Sequence, residues 1–363
     1  MLKNELLDLV ARLSSCIFLG DEDIAKDPEW LKITKDYTVE SFLAARQLRL
    51  WPRVLQPYVA SWIPQVYKIQ KQLARADAMI TPVIERRRSE KISVERHDSI
   101  EWVEAIAKEK NIDYWPAAMQ LNMALSAIHT TADLITTTMY ELVQRPDDIA
   151  ALRKEIIEVV GTGGLEHVSL YKLKLMDSAI KEAQRIKPVL SSKFLFYHRK
   201  KEKALDFLPW KVFARLTFRT VNMVRTATAD ITLDNGLSIP KGTRLGVSTH
   251  AQWDPQVYPN PEEFQVDRFV KLRERPGEEN VWQLSTTRPE QIAFGHGIHA
   301  CPGRFLAANE IKIMLCHLLL KFDWKISADS PPIVPVQNGI MLDSSPMVKV
   351  DVRERQPEVS LII

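Results

Sequence analysis

"FGHGIHACPGRF", Phe294 to Phe305, places two histidines, one cysteine and three glycines directly ahead of a long apolar stretch. A structural zinc site normally draws four ligands from paired Cys/His spacings, and no CxxC pair occurs in this chain. The other cysteines, Cys16 and Cys316, lie far upstream and further down the following helix. Three cysteines in 363 residues is the usage of a reducing compartment and not of a disulfide framework. What is left is a thiolate that works alone.

Such a thiolate needs a tightly folded loop, and Gly297 and Gly303 can supply unusual dihedrals. A helix beginning near Pro302 directs its positive end at the sulfur and favours the ionised form. With no second protein ligand nearby, the natural partner is a metal whose remaining ligands come from a cofactor. Haem iron held by one Cys thiolate fits that description.

Outward from this turn, the chain reads as mainly α with a smaller β-part. The opening residues, "MLKNELLDLVARLSSCIFLG", form an amphipathic helix and not a signal peptide, and residues 1–160 read as helices throughout. "SAIHTTADLITTTMYELVQRP" is a long apolar helix running to Pro146, and "DDIAALRKEIIEVVG" is a helix that stops at Gly161. "SLYKLKLMDSAIKEAQRIKP" gives two short helices, the second ending before Pro188. From Thr228 the period changes, and "ADITLDNGLSIPKGTRLGVSTHAQW" predicts a hairpin at Asn235-Gly236 followed by another strand. A Pro-rich meander follows, then a helix over "RFLAANEIKIMLCHLLLKFDW" and a tail of short strands.

No apolar run approaches the length that spans a bilayer, so the chain as written reads as a soluble intracellular protein. The net charge of +3 is local: residues 191–222 hold eight Lys/Arg and two Asp/Glu, and the remainder has 41 basic against 44 acidic residues, a net of −3. One basic patch argues against a nucleic-acid surface spread over the fold.

Phe294-x-x-Gly297-x-His299-x-Cys301-x-Gly303 resembles the haem-binding signature of the cytochromes P-450, the haem-thiolate monooxygenases. It departs from the family at His299, where an arginine usually faces a haem propionate; a histidine can still donate a hydrogen bond there, as in many fungal members. Three further stretches follow in the family's order. Glu182-Ala-Gln-Arg185 resembles the ExxR pair, whose i, i+3 spacing puts carboxylate and guanidinium on one helix face. "HAQWDPQVYPNP" resembles the family's text, and in "PEEFQVDRF" Arg268 matches the arginine that completes the Glu-Arg-Arg network. An isolated ExxR is usually a solvated surface pair; three ordered motifs on one chain argue otherwise. Arg225 matches a position that binds a haem propionate, or is a solvated charge at a strand start.

"SAIHTT", Ser126 to Thr131, resembles the oxygen-activation segment. Ser126 and Ala127 take the place of its two small residues, which leave a groove over the haem, and Thr130 matches its proton-relay threonine. His129 replaces the family's acid and either relays protons itself or is a hydrogen-bonded histidine on a buried helix. The "AIHTT" variant resembles fungal enzymes that oxidise terpenoids and related secondary metabolites.

The resemblance implies a cytochrome P-450 fold over a single domain, residues 1–363, without its amino-terminal portion. It implies haem b on Cys301, with Phe294, Gly297, His299, Gly303, Arg225 and Ala127 around the cofactor, Thr130 and His129 as catalytic groups, and Glu182, Arg185 and Arg268 as structural ones. The reaction implied is oxidation of a hydrophobic small molecule in fungal secondary metabolism. Electrons come from NADPH through cytochrome P-450 reductase, with cytochrome b5 as a further partner; nothing here reads as a flavin or nicotinamide site. Family members sit on the cytoplasmic face of the endoplasmic reticulum membrane, whereas no anchor is found in this chain. Residues 191–222 are an atypical basic, aromatic insert, read either as a translated intron or as a lineage-specific insertion. Two rivals stand beside this reading: a shortened product that binds no haem, and a haem-thiolate protein that uses peroxide without a reductase.

Overall fold

In the computed structural model the chain divides into two compact units, residues 4–132 and residues 133–363 together with 1–3. The structure describes residues 1–90, 96–189, 192–193, 220–338, 341–359 and 361. Most of the insert at 191–222 lies outside the described residues.

The smaller unit is helical: α1 (Leu2–Leu19), α2 (Glu22–Lys26), α3 (Pro28–Leu48), α4 (Gln56–Ala60), α5 (Pro64–Ser89), α6 (Ser99–Lys110) and the first half of α7 (Pro116–Leu142). Local chemistry sets several of the boundaries. Asp27 accepts from the free N–H groups of Glu29 (2.6 Å) and Trp30 (3.3 Å), with Pro28 in the first turn. Asp98 caps α6 through Glu101 N–H at 2.9 Å, and Asn111 closes it in the left-handed region at φ 50°. Asp98 also pairs with Arg87 at 3.0 Å, and Arg87 donates to the Leu19 carbonyl at 2.7 Å. Gly20 sits against this knot at φ +57°, where an added Cβ would lie 2.0 Å from the Asp98 carboxylate. Only glycine fits there.

The larger unit holds the rest of α7, α8 (Pro146–Gly163), α9 (His167–Lys172), α10 (Lys174–Ile186), α11 (Arg268–Arg273) and α12 (Arg304–Lys321). Its strands are all paired antiparallel. β1 (Ser192–Lys193), β2 (Thr220–Thr226) and β5 (Arg244–Ser248) form a three-stranded sheet in the order β1-β2-β5, and the other three sheets have two strands each. These are β3 (Ile231–Thr232) with β4 (Ser238–Ile239), β6 (Phe322–Ile326) with β9 (Val350–Glu354), and β7 (Val336–Asn338) with β8 (Met341–Asp343). The β3–β4 turn closes with Leu233 N–H on the Leu237 carbonyl (2.9 Å) and Gly236 N–H on the Leu233 carbonyl (2.8 Å). Gly236 stands at φ 82°, so this is the three-residue hairpin loop with glycine in its left-handed position.

Two sequence expectations are corrected. Helix α8 does not stop at Gly161 but continues to Gly163 and is capped by Gly164 at φ 65°, whose N–H bonds the Val160 carbonyl at 2.8 Å. Gly161 instead serves packing, since a Cβ there would lie 3.1 Å from Val359 Cγ1. Helix α12 ends at Lys321, and Phe322 to Trp324, read as helical, begin β6. Phe322 and Trp324 fall on one face of that strand with ring centroids 5.9 Å apart, and Trp324 Nε1 donates to the Leu318 carbonyl at the helix end.

Helix α10 is the best-buried element of this unit: every residue from Met176 to Ile186 is buried. Its first turn is capped from α8, where Glu155 accepts from Leu175 N–H at 2.6 Å and Met176 N–H at 2.9 Å. Beside it Tyr258, Phe269 and Trp282 pack edge-on or tilted at 5.9 to 6.1 Å between centroids. Among the described residues no helix is long and apolar enough to cross a membrane.

Candidate functional site: the cysteine loop

Residues Phe294 to Gly303 form a closed loop that leads into α12. Gly295 and Gly297 hold φ of 73° and 74°, the left-handed region that side chains avoid. A one-turn 3-10 helix spans Gly297–His299, with Ala300 N–H on the Gly297 carbonyl at 3.0 Å. Cys301 N–H then donates back to the Phe294 carbonyl at 2.7 Å and closes the loop. Gly303 is the N-cap of α12, and a Cβ placed on it would lie 4.0 Å from Cys301 Sγ. The sulfur therefore lies beside the N-terminal end of an 18-residue helix.

Cys301 is half-buried and its thiol is free, while Cys316 is fully buried and burial pushes its thiol up to about 12. Among the described residues no three His, Cys, Asp or Glu side chains cluster as a metal site. Cys301 thus belongs to no cluster of three or more such side chains among the described residues, unlike a structural zinc ligand, and a metal held there would take most of its ligands from a cofactor, as a haem iron does. The loop surface agrees with a flat cofactor: nothing lies within 4 Å of a Cβ built on Gly297. Phe294 is half-buried, and His299 is exposed, as is Ile298 at 95%.

Glu182, Arg185 and Arg268 meet in a fully buried network. Glu182 takes Arg185 in a two-pronged pair at 2.8 and 2.9 Å and accepts from Arg268 Nε at 2.8 Å. The remaining guanidinium donors are used on main-chain carbonyls: Arg185 on Gln252 (2.7 Å) and Pro261 (2.8 Å), Arg268 on Pro259 (2.5 Å), Asn260 (3.0 Å) and Glu263 (2.9 Å). Three charges that never reach water thereby hold the Pro-rich meander onto α10. Arg225, in β2, is exposed and donates to its neighbour's carbonyl at Val224, 2.9 Å away.

The "SAIHTT" residues lie on α7 in the smaller unit. Thr130 Oγ1 donates to the Ser126 carbonyl at 2.7 Å and lies 3.2 Å from that of Ala127, while Ser126 Oγ donates to Asn122 at 2.9 Å. Ala127 is half-buried. His129 Nε2 stands 3.1 Å from the Lys35 carbonyl on α3, a contact in which the imidazole must donate.

Sequence reasoning missed the second support of the loop. Arg304, the first residue of α12, donates to the Cys301 carbonyl at 2.8 Å and to that of Ser285 at 3.0 Å. Lys181, buried beside Glu182, donates to the carbonyls of Gln283 (2.8 Å) and Thr286 (3.0 Å). Helical spacing puts Lys181 on one face with Asp177, Ser178, Gln184 and Arg185, which reads as a solvated polar stripe, so nothing in the sequence signalled its burial.

The Cytochrome P-450 family profile matches residues 3–203 and 214–349. Over 99% of its length the chain is 62% identical to cytochrome P-450 monooxygenase calE of Penicillium decumbens, spanning 65% of that protein. It is 40% identical to adrA of Penicillium rubens, covering 65% of it, and 41% identical to trt6 of Aspergillus terreus, covering 67%; both carry the same description. The chain thus spans about 65% of the length of such relatives. The solved structure of cyanobacterial CYP120A1 with bound retinoic acid shares the fold at a TM-score of 0.67 and 17% identity, with 98% of this chain and 69% of that one covered. With its single-cysteine loop, its buried Glu182–Arg185–Arg268 network and a family match over most of its length, this chain belongs to the cytochrome P-450 family.

Proposed function

We propose that the protein is a haem-thiolate monooxygenase of fungal secondary metabolism that inserts one oxygen atom of dioxygen into a hydrophobic small molecule. In that reaction a substrate C–H becomes C–OH, the second oxygen atom leaves as water, and NADPH supplies two electrons through a separate reductase. The observation that carries the proposal is the Cys301 loop: one half-buried, free sulfur at a helix N-terminus, closed by Phe294, with no cluster of three metal-ligating side chains among the described residues. Haem b, if held through that sulfur, would supply dioxygen activation.

The chain's own residues have separable tasks. Cys301 would hold the iron, and Phe294, Gly297, His299, Gly303, Arg225 and Ala127 would line the cofactor. Thr130, whose hydroxyl is held on the Ser126 carbonyl, and His129 hold and move protons. Cytochrome P-450 reductase would be the electron donor, with cytochrome b5 as a further one, at the cytoplasmic face of the endoplasmic reticulum. The relatives come from Penicillium and Aspergillus, which suits secondary metabolism, and a terpenoid substrate rests on the "AIHTT" text alone. We read residues 191–222 as a translated intron; within this stretch the family match omits residues 204–213 and covers the rest. Spliced transcript that encodes the whole stretch would refute that part.

The test is the carbon-monoxide difference spectrum of the reduced chain expressed with haem, beside Cys301→Ala. The proposal expects the strongly red-shifted Soret band of a thiolate-bound haem in the parent chain and its loss in the variant. Absence of the band in the parent, or its persistence without the cysteine, overturns it.

A further inference from the structure

Five consecutive residues, Trp282 to Thr286, each give a main-chain group to an ionisable side chain. Arg273 donates to the Trp282 carbonyl (3.2 Å), Lys181 to those of Gln283 and Thr286, and Arg304 to that of Ser285, while Leu284 N–H donates to Asp177 at 2.8 Å. Asp177 in turn pairs with Arg273 and Lys312, so α10, α11 and α12 meet at one buried carboxylate. An irregular segment held at every residue behaves as a rigid strut.

Arg304 joins that strut to the cysteine. Its guanidinium bridges the Ser285 and Cys301 carbonyls, 3.0 and 2.8 Å away, and stacks over the Phe305 ring at 4.5 Å. Cys301 is therefore held on both sides of its Cα: its N–H by Phe294 and its carbonyl by Arg304. Its χ1 is the only soft torsion left to aim the sulfur.

We propose that Arg304 is a positioning residue for Cys301, transmitting the fixed geometry of the 282–286 strut to the sulfur that binds iron. The inference rests on the haem-thiolate reading above, and its test separates the two. Three variants of this chain are compared: Arg304→Ala, Arg304→Lys and Arg153→Ala. Arg153 is the control, because it also donates to two main-chain carbonyls at α12, those of Leu319 and Phe322 at 2.8 and 2.9 Å, but at the end remote from the cysteine.

The first readout needs no cofactor: amide hydrogen exchange over residues 294–303 in the haem-free chain. Arg304→Ala should accelerate exchange there at least tenfold, Arg304→Lys less, and Arg153→Ala not beyond its global effect. The second is the share of bound haem that gives the red-shifted carbon-monoxide band. Arg304→Ala should cut it at least threefold with the unfolding temperature little changed, whereas Arg153→Ala should lower the unfolding temperature and keep the share. Wild-type exchange in Arg304→Ala overturns the inference whether or not the chain binds haem. So does loss of the band in both alanine variants in proportion to their unfolding temperatures. If the parent chain shows no band while exchange rises in Arg304→Ala alone, the haem reading fails and the positioning role stands.

Discussion

Glu182 and Arg268, 86 positions apart in the chain, meet at 2.8 Å where their side chains are 0% and 3% exposed. Glu182 is the one carboxylate that faces both Arg268 and Arg185 in this network. Removing it strands two buried guanidiniums, and the loss of one partner from such a site costs about 3–5 kcal/mol. We expect Glu182→Ala to lose about that much in urea unfolding followed by circular dichroism. Glu182→Gln, which keeps the volume and one acceptor, should lose less. Against a typical total of about 5–15 kcal/mol, that is a large fraction of the stability of a domain. A loss below about 1 kcal/mol would show that the network does not hold the meander.

Lys181 predicts a pH dependence. Burial holds its ammonium well below the ordinary 10.5, at about 7, with Arg273 and Arg288 adding repulsion and Asp177 opposing it. A neutral amine still has the N–H groups to serve both the Gln283 and Thr286 carbonyls. Between about 7 and 10.5 the unfolded chain binds a proton that the folded chain does not, so stability rises with pH across that window and is flat below it. The slope reaches at most about 1.4 kcal/mol per pH unit. Subtracting the curve of Lys181→Met isolates this group, since the other titrations cancel. Parallel curves for the two proteins would refute the depressed pKa.

The cysteine loop and the ExxR pair were legible because their chemistry is written in residue identity. Glycine at 297 marks a left-handed backbone, and Glu182 and Arg185 lie on one helix face by spacing alone. Arg304 and Lys181 were not legible, because what they bind is the main chain of residues 282–286, and a carbonyl's position leaves no trace in side-chain type. Phe322 to Trp324 were misread for a different reason: three residues are too few to tell a period of 3.6 from one of 2 when they follow a long apolar helix. At the end of α8 three glycines, Gly161, Gly163 and Gly164, stand within four residues, and it is the positive φ at Gly164 that marks the stop.

His129 bonds across two helices of the smaller unit, and that contact can be weighed separately from any proton transfer. His129→Leu removes the donor to the Lys35 carbonyl, which keeps its place in α3, so the cost should be about 1 kcal/mol. His129→Gln, with an amide N–H of similar reach, should recover most of it. A histidine that only moved protons would leave stability unchanged in both variants. Denaturant midpoints of the haem-free chains distinguish the two cases.

Gly297 and Gly303 should respond to alanine in opposite ways. At Gly297 the obstacle is the backbone alone: φ is +74° and nothing lies within 4 Å of the new Cβ. Gly297→Ala should cost about 1–2 kcal/mol, and Gly297→Asn less, because asparagine tolerates the left-handed region. At Gly303 the backbone is ordinary, φ −80°, but the new methyl would touch Cys301 Sγ at 4.0 Å. Gly303→Ala should therefore cost under about 1 kcal/mol in stability while altering the carbon-monoxide band, because the methyl adds an apolar contact against the sulfur. Unfolding midpoints of both haem-free variants, followed by their spectra, check the contrast. An unaltered band in Gly303→Ala would mean that the sulfur does not rest against the start of α12, and unaltered stability in Gly297→Ala that the loop does not need its left-handed turn.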